Sequence, residues 1–154
     1  MIEFRKANIN DIEQLTNMRI SMLCENNNFN EDYIKDLSIS TSKYFLDGIS
    51  NNSIYVLIAV EEQNIIAMSC LSYFKIPPND WCITGKTAYL GNMYTIPMQR
   101  KRGIATKLLS MIINQGKADN CERIILNPTD SGKSIYEKYG FEPWSDAMAL
   151  YPLK

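Results

Sequence analysis

Apolar and polar positions change period several times along the chain, and each change predicts an element. Residues 2–6 alternate as a half-buried strand does. From Ile12 the period lengthens: Ile12, Leu15, Met18 and Met22 share one face of a helix that Asn10 or Asp11 would cap. The polar run Glu25-Asn26-Asn27-Asn28 ends it. A second helix is predicted over residues 30–49, with Ile34, Leu37, Tyr44 and Phe45 inward and Gly48 near its end. Residues 53–60 and 65–74 read as two strands of a hairpin that turns at 61–64. Residues 75–87, rich in turn formers, predict an extended connection that leads into the next strand.

The stretch that organises the rest is 89–114. Residues 89–95 suit a mostly buried strand. Pro97 then stops ladder pairing because it has no N–H to donate. After Arg100-Lys101-Arg102, Gly103 opens a segment with Ile104, Leu108, Met111 and Ile112 at the spacing of an amphipathic helix. Residues 122–126 make a further strand, broken by Pro128. Thr129 or Asp130 caps a short helix over 131–139 that Gly140 terminates. Residues 141–153 would add a final hairpin, with Trp144 and Tyr151 available for packing. The order β-αα-βββ-α-β-α-ββ predicts one α/β (α+β) domain over residues 1–154. Its sheet would be mixed, twisted and mostly antiparallel, of six to seven strands with a central parallel pair, flanked by about four helices.

Composition narrows the chemistry. The sequence has no histidine, which removes Ser-His-Asp and Cys-His catalysis, histidine-ligated zinc and a histidine base. A net charge of −1 provides no field that would gather nucleic acid or an anionic membrane, so neither is an expected partner. Cys24, Cys70, Cys82 and Cys121 show no C-x-x-C pairing and read as free thiols in a reducing cytoplasm. Neither a secretory leader nor an apolar run of membrane-spanning length is visible, and no metal site is expected.

Against that near-neutral background the basic cluster at 100–102 reads as a site. A strand, a tight turn with glycine and a helix that starts in the turn together build an anion cradle. The first helical N–H groups lack intrahelical partners and lie at the positive end of the macrodipole. Gly103 lets a ligand approach the backbone closely, and Ala105 keeps the first turn small. An ordinary surface helix start with solvated basic residues would use the same pattern. Two Walker-like triplets, Gly85-Lys86-Thr87 and Gly132-Lys133-Ser134, lack the glycine a P-loop needs five positions earlier, where Asp80 and Asn127 stand.

The turn resembles motif A of the GNAT superfamily of acyl-CoA-dependent N-acyltransferases, Q/R-x-x-G-x-G/A, with Arg100, Gly103 and Ala105 at its fixed positions. Residues 134–141, SIYEKYGF, resemble the L-Y-E-K-x-G-F ending of the same family, and the element order follows the family along essentially the whole chain. The resemblance implies an acetyl-CoA-dependent N-acetyltransferase acting on a small-molecule or peptide amine. A non-catalytic acyl-CoA sensor of the same fold is the alternative. It also admits a homodimer through the exposed final strands. Pantetheine would lie along Met93, Tyr94 and Thr95, and the pyrophosphate would meet Arg100, Lys101, Arg102, Gly103, Ile104, Ala105 and Thr106.

Tyr136 matches the family tyrosine that protonates the leaving thiolate; a packed aromatic on a short helix would look the same. The glutamate that many members carry on the central strand has no counterpart in residues 88–95, and Thr129 stands where the family has an asparagine. Asn92 and Asn127 remain as candidates to contact the acceptor. Aminoglycosides, polyamines, amino acids and protein N-termini all fit as acceptors, and the mildly acidic chain leans toward a cationic one.

Overall fold

A computed structural model describes residues 1–145 and 147–153. The chain runs β1 (Glu3–Lys6), α1 (Ile12–Cys24), α2 (Glu31–Ser50), β2 (Ile54–Glu61), β3 (Asn64–Lys75), β4 (Lys86–Thr95), α3 (Ile104–Ala118), β5 (Arg123–Ile125) and α4 (Lys133–Lys138). One five-stranded sheet forms in sequence order. The first four strands pair antiparallel, and β4 pairs parallel with β5.

Helices cover both faces. Leu15 and Met18 of α1 and Phe45 of α2 pack on Val56, Ile58, Met68 and Cys70. On the other face Ile104, Leu108, Leu109 and Ile112 of α3 pack on Leu57, Ala59, Leu71, Ala88 and Leu90. This explains the unbroken apolar run of β2: a strand between two helical layers has no solvent face, so alternation disappears. The hairpin between β2 and β3 turns on Glu62 and Gln63, both with positive φ (49° and 67°), the type I′ geometry that matches strand twist. The register shifts between Ala59 and Val60, so Ile66 is an extra residue and Ile65 stays on the α1 side with Met68.

Several boundaries differ from expectation. Asp11 stands at the N-cap position of α1 but makes no side-chain cap bond there. It closes a preceding 3₁₀ turn, Ile9–Asp11, that Asn8 caps, the Asn8 side chain accepting from the Asn10 amide and Asp11 accepting from the Asn8 amide at 2.8 Å. β4 begins at Lys86, because Cys82 and Thr87 are buried and draw the end of the preceding connection into the sheet. The larger correction concerns strand number: the sheet has five strands, not six to seven. Residues 141–145 and 147–153 form no strand, and Asp146, inside the expected hairpin, lies outside the described residues. Pro143 and Pro152 each remove a ladder donor, and β5 offers a template only three residues long. Trp144 is instead 59% exposed, its ring 4.8 Å from the Arg123 guanidinium.

β1 is tied to the start of α1 by a two-pronged ion pair, Arg5 Nη1 and Nη2 to Asp11 Oδ2 and Oδ1, both at 2.8 Å. The Arg5 hydrogen bonds, with a smaller share from the Asn8 amide, hold the Asp11 carboxyl below its ordinary value. A lowered folded pKa contributes stability that is present above the unfolded pKa and is lost as pH falls through the folded one. Wild type should therefore exceed Asp11→Asn in denaturant midpoint at pH 7, and the gap should narrow as pH drops below about 4. A gap equal at pH 7 and pH 3 would show that the carboxylate charge is not the cause.

Candidate active site

β4 carries the site because it is paired only part way on its outer side. β5 matches Thr87, Ala88 and Tyr89 and then stops. Beyond Tyr89, no strand among the described residues pairs with that edge. On its inner side β4 has a bulge. Cys70 pairs with Gly91 and Met68 with Tyr94, so Asn92 and Met93 together oppose Ser69. Asn92 has φ +53°, a left-handed conformation that asparagine tolerates better than most residues. It lines a cleft.

Past β4, Pro97 starts a single 3₁₀ turn, Pro97–Gln99, and the basic residues follow. The structure separates the three cations by role. Arg100 donates from Nε to the Thr95 carbonyl at 2.9 Å and from Nη2 to Glu25 Oε1 at 2.5 Å. Arg102 bridges Glu61 at 3.1 and 3.2 Å and also reaches Gln99. Lys101, with φ +62°, has no ion-pair partner among the described residues. Two of the three charges are thus spent on holding the turn in place, a division that residue counting does not reveal.

Gly103, with φ +75°, hands the chain to α3 without a side-chain cap. The first helical bond runs from the Lys107 amide to the Gly103 carbonyl at 3.1 Å. The amides of Ile104, Ala105 and Thr106 donate to no described residue. No atom lies within 4 Å of where a Cβ on Gly103 would stand, so the protein leaves the space over this turn open. Free amides, open space and a helix dipole suit a diphosphate. The Ile104 side chain is core, and the Thr106 carbonyl accepts from Tyr139 Oη at 3.3 Å. Met93 is half-buried against the α3-side core, and Tyr94 turns to the α1 side, where its hydroxyl donates to Glu25 at 2.7 Å. Burial, reinforced by Glu25, pushes the Tyr94 phenol up to about 12.

Tyr136 sits on α4, and the end of that helix fixes it. The Phe141 amide bonds the Tyr136 carbonyl at 3.2 Å and the Gly140 amide bonds the Glu137 carbonyl at 3.0 Å, with Gly140 at φ +89°. These are the two bonds of a Schellman motif. Its usual apolar contact is made by the rings of Tyr136 and Phe141, edge to face with centroids 5.9 Å apart. Burial raises the Tyr136 phenol, and the neighbouring Tyr89 adds to the shift. Asn127 Nδ2 donates to Tyr89 Oη at 3.4 Å. Thr129 Oγ1 accepts from the Gly132 amide at 3.2 Å and shapes the turn into α4.

On the α1/α2 side, between those helices and β3 and β4, lies a cleft of about 310 Å³. Tyr89, Gly91 and Asn92 line it from β4, Ser72 from β3, Tyr44 from α2 and Arg19 from α1. Tyr44 Oη and Ser72 Oγ are 2.5 Å apart, and Cys70 Sγ is 3.7 Å from the same hydroxyl. Burial pushes the Cys70 thiol up to about 11. Tyr89 belongs both to this cleft and to the surroundings of Tyr136. Of the residues expected at the site, only Asn92 lines the cleft. Arg19, Tyr44, Ser72 and Tyr89 were missed. One signal was present: Arg19 interrupts the apolar face made by Leu15, Met18 and Met22.

A family model described as Acetyltransferase (GNAT) family matches residues 21–141. A predicted acetyltransferase with acetyl-CoA from Clostridium acetobutylicum is 34% identical in sequence; the match covers 99% of this chain and 97% of that one, with a TM-score of 0.88. A GCN5-related N-acetyltransferase from Ralstonia eutropha JMP134 has the same fold at 20% identity, with 98% and 99% of the chains covered and a TM-score of 0.87. Ribosomal-protein-alanine N-acetyltransferase from Brucella melitensis shares the fold at 13% identity, with 98% and 99% covered and a TM-score of 0.72. No curated protein sequence matches the chain.

The Schellman end of α4 yields a direct test. Gly140→Ala meets no steric neighbour but must hold a left-handed backbone. A loss of about 1 kcal/mol is expected, seen as a drop of about 2–4 °C in Tm. Asn at the same position should recover part of it. An unchanged Tm for Gly140→Ala would mean that the positive φ does not set the position of Tyr136.

Proposed function

Because the chain belongs to the acetyltransferase (GNAT) family, we propose that it moves an acetyl group from acetyl-CoA to a primary amine by direct attack in a ternary complex. The amine would belong to a small molecule or a peptide. The observation that carries this reading is the continuity of an unpaired β4 edge with an uncapped helix start, Tyr89 at one end and Ile104 to Thr106 at the other. The edge of β4 at Met93 and Thr95 suits the pantetheine amides. The free amides of α3, with Lys101 as the uncommitted cation, suit the pyrophosphate.

In the reaction, the amine nitrogen bonds to the thioester carbonyl carbon, the C–S bond breaks, and the departing sulfur takes a proton. Tyr136 is our candidate for that donor. Its half-buried phenol stays protonated well past neutrality, since burial raises its pKa. The acceptor would enter by the cleft and pass Asn92 and Tyr89. No carboxylate lies on residues 88–95, so the amine would lose its proton through water or bind already neutral. Bringing the two reactants together then supplies much of the acceleration. The four free thiols, two of them buried, suit a reducing cytosol.

Tyr136→Phe should lower kcat by about 10²-fold or more with acetyl-CoA affinity unchanged, and should abolish any decline in kcat at pH above about 10. The sign follows from the role: a donor must be protonated, so activity falls as the phenol ionises. Gly103→Val should weaken acetyl-CoA binding by about tenfold or more in calorimetry, because it strains the turn and fills the open space. Thiol release assayed over an amine panel checks turnover. Acetyl-CoA binding without turnover on every amine would favour the sensor reading, and absence of binding would sink both.

A further inference from the structure

The cleft on the α1/α2 side contains one full charge. Arg19 projects from the buried face of α1, and none of the residues that line the cavity is acidic. Its guanidinium makes no hydrogen bond or ion pair with any described residue. The contrast within the molecule is sharp: Arg5, Arg100 and Arg102 each bind a carboxylate. What faces Arg19 is neutral, namely the Tyr44 and Tyr89 phenols and the Cys70 thiol, and burial lowers the Arg19 pKa. A half-buried cation without a counter-charge is costly in an empty protein. It becomes favourable when a ligand brings the missing anion, because charge-assisted, two-pronged hydrogen bonds are the geometry a guanidinium is built for.

From this cavity we infer that the acceptor is a small primary amine that also bears a carboxylate, held by Arg19 while its amino group lies toward Asn92 and Tyr89. This rests on the acetyltransferase reading and narrows it. The volume, about 310 Å³, lies at the low end for ligand sites and suits a molecule of amino-acid size. Ser72 and Tyr44 supply neutral hydroxyls for polar groups along the way. A polyamine or aminoglycoside would set like charge against Arg19 with no acidic residue to offset it, so the overall acidity of the chain misleads about its acceptor.

The test compares matched compounds that differ only at the anion: lysine, lysinamide and cadaverine; methionine, methioninamide and 3-(methylthio)propylamine; and O-phosphoethanolamine beside β-alanine. Acetyl-CoA binding to the whole protein is measured first by calorimetry. Turnover is read by thiol release, and binding by Tm shift in the presence of coenzyme A. Carboxylates should be used with kcat/KM at least about tenfold above their amides and amines. Arg19→Met should remove about 10- to 100-fold of that, mainly through KM, and Arg19→Lys should restore only part.

Arg19→Met should also raise the Tm of the ligand-free protein, since it deletes an uncompensated charge; a merely structural arginine would lower it. Preference for the amides or diamines, an Arg19→Met variant with unchanged KM for the carboxylates, or silence of the whole panel in both readouts overturns the inference. Preference for O-phosphoethanolamine over β-alanine overturns the carboxylate assignment. Failure of the underlying reading looks different: no acetyl-CoA binding in the first measurement.

Discussion

Everything at the site follows from where β5 stops. Its start is held firmly: the Cys121 amide bonds the Gly116 carbonyl at 2.9 Å and the Glu122 amide bonds the Lys86 carbonyl at 3.0 Å. A side chain on Gly116 would come within 2.6 Å of Ile124 Cδ1, so α3 presses directly on this strand. Three residues later Pro128 is near and the ladder has ended. Backbone groups on the outer edge of β4 are therefore released just where the strand bulges. An unpaired edge normally invites another chain. Here it leads instead into a turn whose amides are also unpaired.

The turn is rigid for reasons that differ from its apparent chemistry. Arginines in a basic run suggest a diffuse positive surface, yet Arg100 and Arg102 are each oriented by a glutamate from elsewhere, Glu25 just after α1 and Glu61 of β2. Their ion pairs hold the path from Thr95 to Gly103, and Lys101 is left without an ion-pair partner among the described residues. Conversely, the cleft that reads as neutral from composition holds a concentrated charge in Arg19. In both places net charge says little, because what matters is which cations already have partners.

Much of the fold was legible because its signals are local. The periods of α1, α2 and α3, the Pro97 break and the glycines at 103 and 140 rest on steric rules that act within a few residues. The Gly140 end of α4 is the clearest case, since glycine holds its φ of +89° with the least strain. The bulges at Ile66 and at Asn92 were not legible, because a strand with an added residue keeps its alternation on either side and shows the insertion only against its partner. The final hairpin was over-read: residues 141–153 are rich enough in apolar side chains, but nothing in their own pattern says whether a sheet edge will accept them. Arg19 and Tyr89 were overlooked for a related reason. Each becomes informative only when distant segments are brought together.

Glu25 illustrates how far such assembly reaches. It was read as part of the polar run that ends α1, and it is that, but its carboxylate also takes the Tyr94 hydroxyl and the Arg100 guanidinium on one oxygen. The residue that follows an early helix is thereby joined to the central strand and to the loop beyond it, with partners 69 and 75 positions apart in sequence. Arg100 in turn donates to the Thr95 carbonyl at 2.9 Å, so the contact extends to the backbone at the end of β4. One carboxylate oxygen thus ties the end of a helix on one face to both the central strand and the turn that opens the helix on the other.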